Sequence, residues 1–155
     1  MRRADPDKVL SYRLAKVWVM TKDKTPRVRR APLPDDAVLV VRGDVLDGEL
    51  LRADAARFCR RYPDWDRVGV SGYYARDDIE VNALCQTKMV NFETVVVFAI
   101  RDLERTGINV VGTFRTPHVT LAARDIQTLL EALISCPHQV RANPYHGNAT
   151  TEEVR

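Results

Sequence analysis

Two short runs constrain the fold of this chain more than any other feature. Val38-Leu39-Val40-Val41 and Thr94-Val95-Val96-Val97-Phe98 are continuously apolar and rich in β-branched residues. Neither alternates apolar with polar residues, and both are short. Each therefore reads as a strand buried on both faces, an interior member of one sheet.

The segments around them supply the other elements. Leu51, Ala55, Phe58 and Tyr62 recur at steps of three and four, which predicts a helix with one apolar face, capped by Asp47 and stopped by Pro63. A second strand is expected over 68–74, weakened by Gly69 and Gly72. Asp77 with Glu80 three residues on resembles a capping box for a helix carrying Val81, Leu84, Cys85 and Lys88 on one side. A short helical turn at 101–104 ends at Gly107, and strands follow at 108–111 and 118–121. Asp125 caps a helix with Ile126, Leu129, Leu130 and Leu133 inward, and a last strand lies near 139–142. The order predicts an α+β fold, a mixed β-sheet of about six strands with three to four helices packed against it. Residues 1–34 form a basic arm and linker, 35–147 a single domain, and 148–155 a polar tail. Within the arm, a helix is expected from about residue 6, although 16–20 reads equally as a strand.

A chain of 155 residues, 45% apolar and 29% charged, suits one globular domain. No apolar run approaches the roughly 18 residues of a membrane helix. Charges interrupt the N-terminal stretch where a signal peptide needs an apolar core. Cys59, Cys85 and Cys136 are odd in number and widely spaced, which argues against a disulfide framework and for a cytoplasmic setting. Residues 1–34 hold ten Lys and Arg against three Asp, a net of +7, which leaves −4 for the rest of a chain whose total is +3. A basic arm on a mildly acidic body suits nucleic acid or an acidic protein as partner, and no membrane.

The familiar motifs are absent. There is no Cys-x-x-Cys or His-Glu-x-x-His, so no metal is expected. There is no phosphate loop of either common kind, and Ser71 is not framed as a nucleophile elbow. Three polar features instead sit where a strand ends or a glycine opens the backbone: Arg42-Gly43, Ser71-Gly72-Tyr73-Tyr74, and Arg115-Thr116-Pro117-His118. Arg42 ends an apolar strand and must meet an anion, either an internal carboxylate or a ligand phosphate. Tyr73 and Tyr74 point to opposite faces, so at most one belongs to the core.

Together these features resemble the ADP-ribosyltransferase superfamily. In its arginine-serine-glutamate class a first strand ends in an NAD-binding Arg, often Arg-Gly, and Val40-Val41-Arg42-Gly43 is similar. Val70-Ser71-Gly72-Tyr73 falls where that class carries a Ser-Thr-Ser-like motif. Arg115-Thr116-Pro117-His118-Val119-Thr120-Leu121-Ala122 is similar to the Arg-x-His-Val-His-Leu-Ala of the RNA 2′-phosphotransferases, with one extra residue and Thr for the second His. The resemblance implies an NAD-binding domain of the kind used by bacterial toxins. Arg42, Gly43, Tyr73, Tyr74 and Arg115 would hold the cofactor, and Ser71 and His118 would serve catalysis. The class also uses a late Glu-x-Glu, which this chain lacks. The rival reading is a regulatory module that binds nucleic acid or protein through the arm, with Tyr12 and Trp18 interleaved among its cations.

Overall fold

The computed structural model describes residues 26–147. The helix expected within 6–20 and the tail from 148 lie outside the described residues. Six strands, β1 (Leu39–Gly43), β2 (Val68–Ala75), β3 (Thr94–Ala99), β4 (Asn109–Gly112), β5 (His118–Ala123) and β6 (His138–Ala142), form one sheet in the order β4-β5-β2-β1-β3-β6. Four helices connect them: α1 (Gly48–Arg61), α2 (Asp78–Gln86), α3 (Ile100–Arg105) and α4 (Ile126–Ser135).

Both apolar runs lie in interior strands, except that Val38 precedes β1 and is half exposed. β1 lies between β2 and β3, and β3 lies between β1 and β6. Their unbroken hydrophobicity has the expected cause, because each face of the sheet is covered. Val40, Val96 and Phe98 face a core built with Leu51 and Ala55 of α1, Leu103 of α3 and Leu129 and Leu133 of α4. Val41, Val95 and Val97 face the opposite way, against Val81, Leu84 and Cys85 of α2 and the following Met89.

The fold is α+β, and every pairing in the sheet is antiparallel rather than mixed. The β-α-β alternation in the sequence explains the difference. β2 and β3 run parallel and are joined through α2, yet β1 lies between them. The links β3-α3-β4 and β5-α4-β6 likewise join parallel strands that are not neighbours. Helical crossovers are present, but no parallel pair shares a ladder.

The three aspartate caps form as the spacing predicts. Asp47 accepts from Glu49 N and Leu50 N, Asp77 from Glu80 N, and Asp125 from Thr128 N. The segment read as a linker is tied to the sheet. Ala31 N donates to Gly112 O at 2.8 Å, Phe114 N donates to Arg29 O at 2.7 Å, and Arg30 bridges Thr113. Gly112 permits this approach, because a Cβ there would collide with the Ala31 carbonyl. Among the described residues no helix is long and apolar enough to cross a membrane.

Candidate functional site

β1 stops at Gly43, whereas β2 runs back to Val68. Arg42 and Gly43 pair with β3 alone, so residues 69–72 of β2 are paired to β5 but have no register partner in β1. The flank left open becomes the floor of a cleft of about 640 Å³. One wall is α1 with its C-cap, contributing Asp54, Arg57, Arg61 and the capping Tyr62. Another is the turn after α2, with Lys88, Met89 and Phe92, and Phe114 closes a third side. Gly43 is required here, since any Cβ would strike the Phe92 ring.

Five of the seven residues singled out in the sequence meet in this cleft: Arg42, Gly43, Ser71, Tyr73 and His118. Two do not. Tyr74 lies on the opposite face of β2, 8% exposed among core residues, as strand alternation requires once Tyr73 faces the cleft. Arg115 is exposed in the tight turn before β5, where its carbonyl accepts from His118 N at 2.8 Å. The neighbouring Phe114 lines the cleft instead, at a positive φ of 58°.

Arg42 meets an internal carboxylate. Its side chain is 11% exposed, its Nη2 donates to Asp54 Oδ2 at 3.1 Å, and its Nη1 donates to the Ser71 carbonyl. Burial pulls the guanidinium below its ordinary value, and Asp54 opposes that shift. Arg42 thus fixes α1 to the open flank of β2. The Ser71 hydroxyl carries no hydrogen bond among the described residues and is exposed at the floor.

His118 is held from three sides. Its Nδ1 shares a 2.8 Å hydrogen bond with Thr113 Oγ1, which in turn lies 2.8 Å from Thr120 Oγ1 in the buried interior. Tyr73 meets its ring edge-on with centroids 5.4 Å apart, and Phe114 does so at 5.3 Å. Burial lowers the imidazole from its ordinary value of 6.5, a hydrogen bond to the Thr113 backbone opposes this, and the positive Lys88 adds to the lowering. The ring is accordingly neutral at neutral pH, with Nε2 free to accept or carry a proton.

That shift has a measurable consequence. The unfolded chain binds a proton at the ordinary pKa, while the folded chain refuses it until lower pH. Stability is expected to fall as the pH drops below about 6.5, and the fall should shrink in His118→Gln, as thermal melts between about pH 7.5 and pH 5.5 will check. An equal fall in both proteins would assign the effect to other groups.

The sequence did not single out Arg57, Arg61, Lys88, Phe92 or Phe114. A signal existed for two of them. Arg57 and Arg61 are one turn apart on α1 and flank Phe58, so they border its apolar stripe on one side. Rings also form a chain from α1 to the floor. Phe58 lies 4.9 Å from Tyr62, Tyr62 lies 5.6 Å from Phe114, and Phe114 touches His118. No group of three or more potential metal ligands occurs among the described residues.

Comparisons with protein-family models, with curated proteins and with solved structures find no match for this chain.

Proposed function

We propose that the cleft binds a nucleotide, with NAD the ligand to test first. One observation carries this reading: exposed cations, a free hydroxyl, an imidazole and a chain of aromatic rings line a single cleft. Arg57, Arg61 and Lys88 supply charge for phosphates, with Arg61 lying over the Tyr62 ring and its Nε donating to Tyr62 Oη at 3.1 Å, and the Tyr62 and Phe114 rings offer apolar surface for a base or a nicotinamide. Ser71 offers its hydroxyl to a ribose. Arg42 is a positioning residue in this scheme, because Asp54 and the Ser71 carbonyl already occupy it.

Transfer of ADP-ribose would be the activity of such a site. It needs a carboxylate facing the positive charge that develops on the ribose. Among the described residues the cleft holds two, Asp44 and Asp54. Asp54 is engaged by Arg42 and Arg57, so the role falls to Asp44. His118 would accept the proton of the attacking group.

Calorimetric titration with NAD and with AMP tests the binding. The double change Arg57→Ala/Arg61→Ala is expected to weaken it at least about 10- to 100-fold, the effect of losing one charge-assisted hydrogen bond to phosphate. No heat with either nucleotide removes the reading. Release of nicotinamide from NAD separates a transferase from a binding domain.

A further inference from the structure

The cations around the cleft do not stop at its rim. Phe114 closes one side, and its backbone is bonded to Arg29 in the segment that precedes β1. Arg27, Arg29 and Arg30 are exposed along this segment, immediately beside the cleft-lining ring. Across the cleft, Arg57 and Arg61 are exposed on α1. Among the described residues Arg27, Arg29, Arg30, Arg61 and Lys88 have no ion-pair partner, and Arg57 reaches Asp54 only at 3.4 Å. Between the two groups of arginines the Tyr62 and Phe114 rings meet, inclined by 32°.

We propose that this surface is a track for single-stranded nucleic acid, with phosphates on the two arginine groups and a base seated in the cleft at Tyr62 and Phe114. The proposal rests on the reading of the cleft as a nucleotide site and extends it to a polymer. A single nucleotide is satisfied by the cations inside the cleft and gives no use for those on the far side of Phe114. A strand uses both, because its phosphates continue on either side of an inserted base. The rings lie in a recess, so the base must be unstacked from its neighbours to reach them, which favours a single strand over a duplex. In this arrangement the basic segment and the cleft are parts of one surface.

Fluorescence anisotropy of the full chain with labelled uridine and thymidine oligomers of about eight nucleotides tests this. The affinity is expected to fall with salt at a slope of about −2 to −3.5, the value for three to five phosphate contacts on a single strand. Arg57→Glu/Arg61→Glu and Arg29→Glu/Arg30→Glu should each weaken binding at least about tenfold and flatten that slope. Phe114→Leu should weaken it while leaving the slope unchanged, and circular dichroism will establish that each variant is folded. AMP should displace the strand. The proposal is overturned if the oligomers do not bind at about 50 mM salt, or if reversing Arg57 and Arg61 has no effect. It is overturned equally if a duplex or polyglutamate competes as well as the single strand, since the surface would then read charge alone. A strand that AMP cannot displace lies outside the cleft, and this also sinks the proposal. NAD or AMP bound without any oligomer binding ends the extension and leaves the nucleotide site standing.

Discussion

Replacing Asn143 with Ala is expected to lower stability by about 2–4 kcal/mol, measured by chemical denaturation, because several hydrogen bonds in a buried setting lose their partner at once. Asn143 is 6% exposed just after β6. Its Nδ2 donates to the carbonyls of Cys85 at 3.2 Å and Met89 at 2.8 Å, and its Oδ1 accepts from Tyr145 N at 3.0 Å. The Cys85 carbonyl belongs to the last turn of α2, where helical partners run out, so the side chain acts as a cap supplied from the other end of the chain. The backbone N–H of Asn143 also donates to Glu93 O at 2.8 Å. One residue therefore pins the turn that carries Lys88, Met89 and Phe92 into the cleft. Nucleotide affinity should fall together with stability in this variant. Asn143→Asp keeps the acceptor for Tyr145 but faces two carbonyls with a carboxylate, and should be no better. A loss below about 1 kcal/mol would show that water replaces these bonds at little cost.

Arg42→Ala is expected to lower stability by about 1.5–3 kcal/mol through the loss of hydrogen bonds made by a charged group. The lower part of that range is favoured, because Asp54 is 39% exposed and regains water when its partner leaves. The Ser71 carbonyl loses a donor in the same step. Affinity for NAD in the folded fraction should fall much less than in the Arg57 and Arg61 variants, because Arg42 acts only by holding α1 in place. Thermal melts beside calorimetric titrations separate the two effects. An unchanged melt with abolished nucleotide binding would reverse the assignment and make Arg42 a direct ligand contact.

Much of the architecture was legible because its signals are local. The three aspartate caps, the stop before Pro63, the turn at Gly107 and the inward faces of α1, α2 and α4 follow from spacing within about a dozen residues. The pairing of strands was not local in this sense. Whether β2 and β3 lie side by side or flank β1 is decided by contacts between segments far apart in sequence, and no short motif records it. The cleft was half legible for the same reason. Arg42, Ser71, Tyr73 and His118 stood out as polar groups at strand ends, a feature of each segment alone. Arg57 and Arg61 carry no local signal beyond their place beside the apolar stripe of α1, and Lys88, expected on one side of α2, falls in the turn after that helix ends at Gln86. Phe114 lines the cleft where the charged Arg115 beside it does not, and no local signal distinguishes the two in that respect. Asn143 carries no local signal of its role, since the carbonyls it binds are more than 50 positions away. What these residues have in common is a role conferred by segments distant in sequence.

The outermost strand has a bearing on how the protein survives in a crowded solution. β6 is exposed along most of its length and carries His138, Gln139 and Arg141, a poor interior strand by composition. Its inner neighbour β3 is Thr94-Val95-Val96-Val97-Phe98-Ala99, uncharged, free of proline and high in β-propensity. A strand of that kind with an open hydrogen-bonding edge is a template for aggregation. β6 covers that edge and presents one with polar and charged side chains in its place. It therefore works as a guard strand, and a chain ending before His138 would leave its most self-adhesive segment bare.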